Sequence, residues 1–252
     1  MASPFVPRAV FDPDYDLLHD EYLTSWQTEQ DLLELTLALQ GRTGRVLDVP
    51  CGTGRLAHRL GLLGYDVLGV DESERFISLG RRQAEGLNGA AELRFGDLRA
   101  LEGLGTFDVI INWFNSFGYF STATNQRVLQ GFSSALRPGG CLIINTLDLA
   151  EVAAVLQDGP LQEEVLVGSR RITTSASLDD RRLVTIRSAE GGGETSVVRS
   201  SVELLDQEQW LVWLSSSGFG EISFLPRSHP TNGTKEVELT IRAIKSSSRL
   251  NG

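Results

Sequence analysis

The stretch Arg45-Val46-Leu47-Asp48-Val49-Pro50-Cys51-Gly52-Thr53-Gly54-Arg55 decides how this chain is read. Val46, Leu47 and Val49 form an apolar run suited to a buried strand, and from Leu56 to Leu63 apolar side chains recur at helical spacing. Between them, Gly52 and Gly54 permit backbone angles that a β-carbon forbids and let a ligand lie against the main chain. Unpaired N–H groups at the helix start then face that ligand, and Asp48 adds an acceptor for a positively charged or amine-bearing group. The unit is a cradle for a nucleotide-like cofactor, and two cofactor classes are open at this point. Gly52, Gly54 and Ala57 satisfy G-x-G-x-x-A, which permits a dinucleotide. A second strand, Tyr65 to Val70, ends at Asp71, about 20 residues beyond the glycines, where a carboxylate takes ribose hydroxyls in either class. Asp71 equally suits the cap of the next helix.

Outward from this unit, strand and helix patterns alternate. A helix is predicted from Ser73 to Glu85, a short strand from Glu92 to Phe95 and a strong strand from Phe107 to Asn112. Thr124 to Leu136 reads as a helix stopped by Arg137-Pro138-Gly139-Gly140, and Cys141 to Thr146 as a buried strand. This order implies a parallel sheet covered on both faces. The pattern changes near Glu163. Val165 to Ala176, Arg182 to Ser188 and Ser196 to Leu204 are β-like, separated by Asp179-Asp180 and Gly191-Gly192-Gly193, and predict an inserted antiparallel sheet of roughly three strands. A helix from Asp206 to Ser217, a strand to Leu225, a polar loop from Pro226 to Lys235 and a last strand near Val237 to Ala243 follow, with Ser246 to Gly252 read as a frayed end.

Composition narrows the function. A chain of 252 residues has room for one α/β domain plus an insertion. Its net charge of −10 argues against a nucleic-acid partner, because Arg81-Arg82, Arg170-Arg171 and Arg181-Arg182 are isolated pairs, read as solvated faces. The two cysteines, Cys51 and Cys141, form neither a disulfide framework nor a metal pattern, and the three histidines are scattered, so no metal is expected. No apolar run approaches the ~20 residues that span a bilayer, and MASPFVPRAVFDPDYD carries no secretory apolar stretch. A reduced cytoplasmic protein without membrane partners is expected. A homodimer is compatible with the sequence, which does not fix oligomeric state.

Asp48 to Gly54 resembles the first motif of class I S-adenosylmethionine-dependent methyltransferases, D/E-x-G-x-G-x-G, with Pro50 in place of the first glycine. That exchange removes one N–H and fixes one φ. The similarity continues in the family's order through Gly69-Val70-Asp71, FGDLR (Phe95 to Arg99), FDVIINWFNSFGYF (Phe107 to Phe120) and LRPGG (Leu136 to Gly140). Within the family, the chain is similar to bacterial small-molecule enzymes, including the amino-sugar N-methyltransferases. The resemblance implies a Rossmann-like, doubly wound α/β fold with a mostly parallel seven-stranded sheet. It divides the chain into an N-terminal helical lid (1–40), a cofactor-binding core (41–160), the antiparallel insertion beside the substrate site (161–205) and a C-terminal completion of the sheet (206–252).

The same resemblance implies roles. Asp48, Pro50, Cys51, Gly52 and Gly54 hold the methionine portion of S-adenosylmethionine, Asp71 with Glu72 the ribose, and Asp97 with Leu98 the adenine; Asn112 and Trp113 face the methionine end and the substrate, and Tyr15 covers the cofactor. Asp97 also suits an ordinary turn, and Phe114 and Phe120 suit plain core. A sulfonium methyl is already activated, so a base is needed only if the acceptor starts protonated; Tyr119, His19 and His229, followed by Tyr15, are the candidates, and His58 is read as a surface or packing residue. Tyr119 stands where the resemblance places a histidine in the amino-sugar enzymes, and its pKa near 10 makes it a poorer base. The expected activity is methyl transfer to O or N of a small-molecule metabolite of secondary metabolism, releasing S-adenosylhomocysteine. The alternative is a methyltransferase fold that keeps its cofactor unreacted while catalysing a cyclisation or rearrangement.

Overall fold

The computed structural model describes residues 25–167, 169–191, 194–225 and 237–247. Helix α1 (Ser25–Leu39) precedes strand β1 (Arg45–Asp48) and helix α2 (Arg55–Leu62). Strand β2 (Asp66–Asp71), helix α3 (Glu74–Gln83), strand β3 (Glu92–Phe95) and strand β4 (Phe107–Asn112) follow. Helix α4 (Thr122–Ala135) runs into strand β5 (Leu136–Leu147), and helix α5 (Leu149–Val155) leads to four strands, β6 (Leu161–Val167), β7 (Arg170–Asp179), β8 (Arg182–Gly191) and β9 (Glu194–Glu203). Helix α6 (Gln207–Ser216), β10 (Phe219–Leu225) and β11 (Glu238–Lys245) complete the described chain. No described helix is long and apolar enough to cross a membrane.

Seven strands form one sheet in the order β10-β11-β5-β4-β1-β2-β3. Pairing is parallel from β3 through β5, and β11 is antiparallel to both of its neighbours. The strands are apolar without interruption because both faces are buried: Leu47, Ile110 and Leu142 point to α4 and α6, while Val46, Val109 and Ile143 point to α1 and α2. The expected sheet is therefore observed. After β1 the chain builds β2 and β3 on one side and β4 on the other, which leaves a crevice beyond the carboxyl ends of these strands.

Two expectations are corrected. The insertion has four strands, in the order β6-β7-β8-β9, because the β-like run from Val165 to Ala176 reverses between Val167 and Arg170. Helix α5 was not expected; Asp148 caps it by accepting from the amides of Ala150 and Glu151. Of the arginine pairs, Arg81, Arg82 and Arg171 are exposed, as expected, but Arg81 and Arg182 also bind backbone carbonyls. Arg81 donates to the Leu93 carbonyl through Nε and Nη2. Arg182 donates to the carbonyls of Phe120, Gly118 and Ser201 and to the Ser201 hydroxyl, which fastens the second sheet to the loop before α4. Glu203 completes that joint: it is buried and accepts from Thr122, Asn125 and Arg181.

Gly118 shows how close this joint is. It has φ 102°, and a β-carbon there would lie 2.3 Å from the Glu203 carbonyl oxygen. Gly118→Ala is expected to destabilise the protein by about 2 kcal/mol or more. Gly131, inside α4 with open space around its missing side chain, is the control. Gly131→Ala is expected to stabilise by roughly 0.5–1 kcal/mol; urea denaturation followed by circular dichroism measures both.

Candidate cofactor site

The turn between β1 and α2 is held by backbone bonds before any side chain contributes. The Val49 amide donates to the Ile111 carbonyl, Cys51 to Val70 and Gly54 to Cys51, each at 2.9 Å. The Val49–Pro50 peptide is cis. Gly52 and Gly54 both have positive φ, 57° and 78°, but they serve different ends. A β-carbon on Gly52 would meet nothing within 4 Å and would stand on the cavity wall, whereas one on Gly54 would fall 2.8 Å from Leu93. Gly52 keeps the cradle open, and Gly54 lets the turn pack on β3.

Four acidic residues surround the turn. Asp71 is buried, and its two carboxylate oxygens are divided: Oδ2 accepts from the Gly52 amide at 2.8 Å and Oδ1 from the Ser73 amide at 2.9 Å. Ser73, not Asp71, is the cap of α3, accepting from Phe76. Burial raises the Asp71 pKa, and these two amides lower it in part. Asp48 is buried more completely; desolvation pushes its pKa up to about 7, Arg55 opposing and Asp71 reinforcing the shift. Burial also raises Glu72. Asp97 behaves differently, because Arg99 grips its carboxylate with Nε and Nη2 and holds its pKa down.

The carboxyl end of β4 supplies the opposite wall. Asn112 is fully buried and donates to the Val49 carbonyl at 2.8 Å, so it braces the turn from behind. Trp113 follows, and then Phe114 and Asn115, both with positive φ (62° and 53°). Such a pair is strained. It is held by the Asn145 side chain and carbonyl, which accept from the Phe114 and Asn115 amides, and by the Thr146 hydroxyl donating to Asn115 Oδ1. Further along, Asn125 accepts from the Phe120 amide and donates to its carbonyl, fixing the segment that carries Tyr119.

These elements enclose a cavity of about 270 Å³ at the carboxyl ends of β1, β2 and β4. Of the residues singled out in the sequence, Asp48, Pro50, Cys51, Gly52, Asp71, Glu72, Leu98, Trp113 and Tyr119 line it. Gly54, Asp97 and Asn112 stand behind the lining, for the reasons just given. Tyr15, His19 and His229 lie outside the described residues. His58 is buried on α2, and desolvation lowers its pKa. Phe114 and Phe120 line the cavity and also pack against the core; Ser116 lines it too, as do Arg55 and Phe76, which were not among the residues singled out in the sequence. Arg55 was nonetheless within the quoted motif, and Phe76 follows the cap at Ser73 by one helical turn.

The open face of Gly52, the carboxylates of Asp48, Asp71 and Glu72 and the Arg55 side chain, all on the lining, together fit an adenosyl ligand bearing an amino acid. Comparison with known proteins agrees. A model of the methyltransferase domain matches residues 46–140. A Geobacillus sp. (strain WCH70) protein whose methyltransferase name is itself provisional is 27% identical over 215 residues, 81% of this chain and 85% of its own. The ubiquinone biosynthesis O-methyltransferase of Sinorhizobium medicae (strain WSM419) is 32% identical over 118 residues, 44% of either chain. Among solved structures, an S-adenosylmethionine-dependent methyltransferase from Clostridium acetobutylicum superposes with a TM-score of 0.73 at 16% identity, covering 92% of this chain and 98% of its own. The sugar N-methyltransferase KedS8 from Streptoalloteichus superposes with a TM-score of 0.68 at 19% identity, covering 98% of both. The chain therefore carries a methyltransferase domain over residues 46–140, and its sheet topology is the fold of S-adenosylmethionine-dependent methyltransferases.

Proposed function

We propose that this enzyme methylates O or N of a small, apolar or aromatic metabolite, as a cytoplasmic enzyme of secondary metabolism. The observation that carries the reading is the mixed lining of the cavity: Asp48, Asp71, Glu72 and Arg55 supply charge, and Trp113, Phe114, Tyr119 and Phe120, from the segment after β4, supply an aromatic surface. An aromatic wall of this kind suits a flat or apolar acceptor. The names of the relatives, one an O-methyltransferase and another a sugar N-methyltransferase, support a small-molecule acceptor and leave both atoms open.

Bound S-adenosylmethionine supplies a sulfonium-activated methyl group. What the chain must add is alignment, and orientation of this kind supplies effective molarities of order 10⁵–10⁸ M. The locked turn after Trp113 and the pinned segment around Phe120 present rigid surfaces for that purpose. Among the described residues, Tyr119 and Ser116 are the hydroxyl groups on this wall. Tyr119 is the candidate to hold the acceptor's proton; Asp71 and Glu72 are the candidates for the ribose, and Leu98 with Phe76 for the adenine.

Calorimetry should detect binding of S-adenosylmethionine and S-adenosylhomocysteine, and a metabolite screen should yield a product heavier by one methyl group. Binding without any methylated product, but with an isomerised one, would instead identify the cyclisation or rearrangement chemistry.

Asp48 gives a pH test. Its folded pKa, about 7, lies above the ordinary 3.8, so folding favours the protonated form. Stability from this group is therefore greatest below 3.8, declines as pH rises towards 7 and stays reduced above it. Asp48→Asn is expected to raise the Tm of the cofactor-free protein at about pH 8. In the parent, affinity for the cationic cofactor should rise between about pH 6 and pH 8 as Asp48 ionises, and that rise should shrink in Asp48→Asn; calorimetric titrations at several pH values report both.

A further inference from the structure

We propose that Arg99 is a positioning residue that fastens two parts of the cavity lining to each other, the turn that carries Leu98 and the segment that carries Phe120. The inference rests on the cofactor reading, in which Leu98 is a candidate for the adenine, and adds a residue that acts through its neighbours. Asp97 opens a tight turn: its carbonyl accepts from the Ala100 amide at 2.9 Å, and its Oδ1 from the Arg99 amide at 2.8 Å. The Arg99 side chain folds back over this turn, where Nε and Nη2 clasp both Asp97 carboxylate oxygens at 2.5 to 2.9 Å. The face of the same guanidinium lies over the Phe120 ring, its carbon 4.6 Å from the centroid. Arg99 is not among the described residues that line the cavity; it lines the surface groove between this turn and α4.

The two contacts hold unequal partners. Phe120 is fixed without help from Arg99: Asn125 accepts from its amide and donates to its carbonyl, and Arg182 of the second sheet donates to that carbonyl too. The Asp97 turn lies between β3 and β4, outside any strand or helix. Its start is tied to β2 by the Gly96 amide, which donates to the Asp71 carbonyl. On the side of the aromatic segment the tie is Arg99, so the turn is hung on Phe120, and Leu98 takes its place on the lining from that attachment. Both contacts need a plane, since the guanidinium edge makes the paired clasp while its face meets the ring. An ammonium offers neither edge nor face. The Arg99 and Asp97 side chains are 46% and 33% exposed, and ion pairs in that range contribute little to stability. What Arg99 supplies is placement.

Calorimetry with S-adenosylhomocysteine and with methylthioadenosine tests this, because the two ligands share the nucleoside and only the first carries the amino acid. In Arg99→Gln, and equally in Arg99→Lys, affinity for both ligands should fall by the same factor, about threefold to tenfold. The Tm of the free protein should stay within about 2 °C of the parent's. Phe120 also lines the cavity, so its partnership with Arg99 is read from the double variant. In a Phe120→Leu background, the further loss on adding Arg99→Gln should shrink to about twofold or less. Unchanged affinity in Arg99→Gln, a loss confined to S-adenosylhomocysteine, full rescue by Arg99→Lys, or additive losses in the double variant would each overturn the assignment. If the folded parent binds neither ligand, it is the cofactor reading that fails.

Discussion

The carboxylate of Asp71 is the constraint on which the site depends. It sits at the end of β2 and accepts one amide from the glycine turn and one from the start of α3, joining two βα units at a single buried group. Without it, the Gly52 amide would lose its partner, and the hydrogen bond from the Cys51 amide to the Val70 carbonyl would be left to tie the turn to β2. Charge-assisted bonds to amides are among the stronger hydrogen bonds, so this joint presets the cradle before a ligand arrives. The cost is electrostatic. Two acids, Asp48 and Asp71, are desolvated side by side, and both carboxyls are driven above their ordinary range. A site that stores negative charge in this way favours a cationic, hydroxyl-bearing ligand, because binding relieves what folding had to accept.

Two outlying parts of the chain complete the cavity around that joint. Helix α1 packs with α2 over the sheet and delivers Asp31 to Arg55. The four-stranded sheet approaches from the other side, and Arg182, Glu203 and Asn125 converge on the backbone from Gly118 to Phe120. The strand ends of the main sheet thus hold the turn, and the insertion braces the aromatic wall. Two arginines of this acidic chain, Arg81 and Arg182, are more than surface charge: they act as clamps on carbonyl oxygens.

Much of the fold was legible because its signals are local. Runs such as Phe107 to Asn112 are buried on both faces and bounded by polar or glycine-containing turns, and their limits match the strand exactly as paired. The helix at Leu149 was missed because it is short and nearly all apolar, LAEVAAV, and so shows no helical alternation of polar and apolar residues; its signal was the cap at Asp148. The reversal after Val167 was missed because β-like residues continue on both sides of it. The site was legible where a motif fixes backbone geometry, as at Gly52 and Asp71. It was less so where a side chain's partner comes from far along the chain. Arg99 occupying Asp97, Asn112 reaching back to Val49 and Asp31 meeting Arg55 across 24 residues are tertiary facts that spacing does not carry. The two roles of the glycines were likewise hidden, since only the packed structure sets Gly54 against Leu93.

The most direct measurement is the affinity of Asp71→Asn for S-adenosylhomocysteine, determined by calorimetry beside a thermal melt of the same protein. If the carboxylate both fixes the turn and meets the ligand, affinity falls by about tenfold or more while the protein stays folded. An Asp71→Asn protein that binds as tightly as the parent would contradict the account.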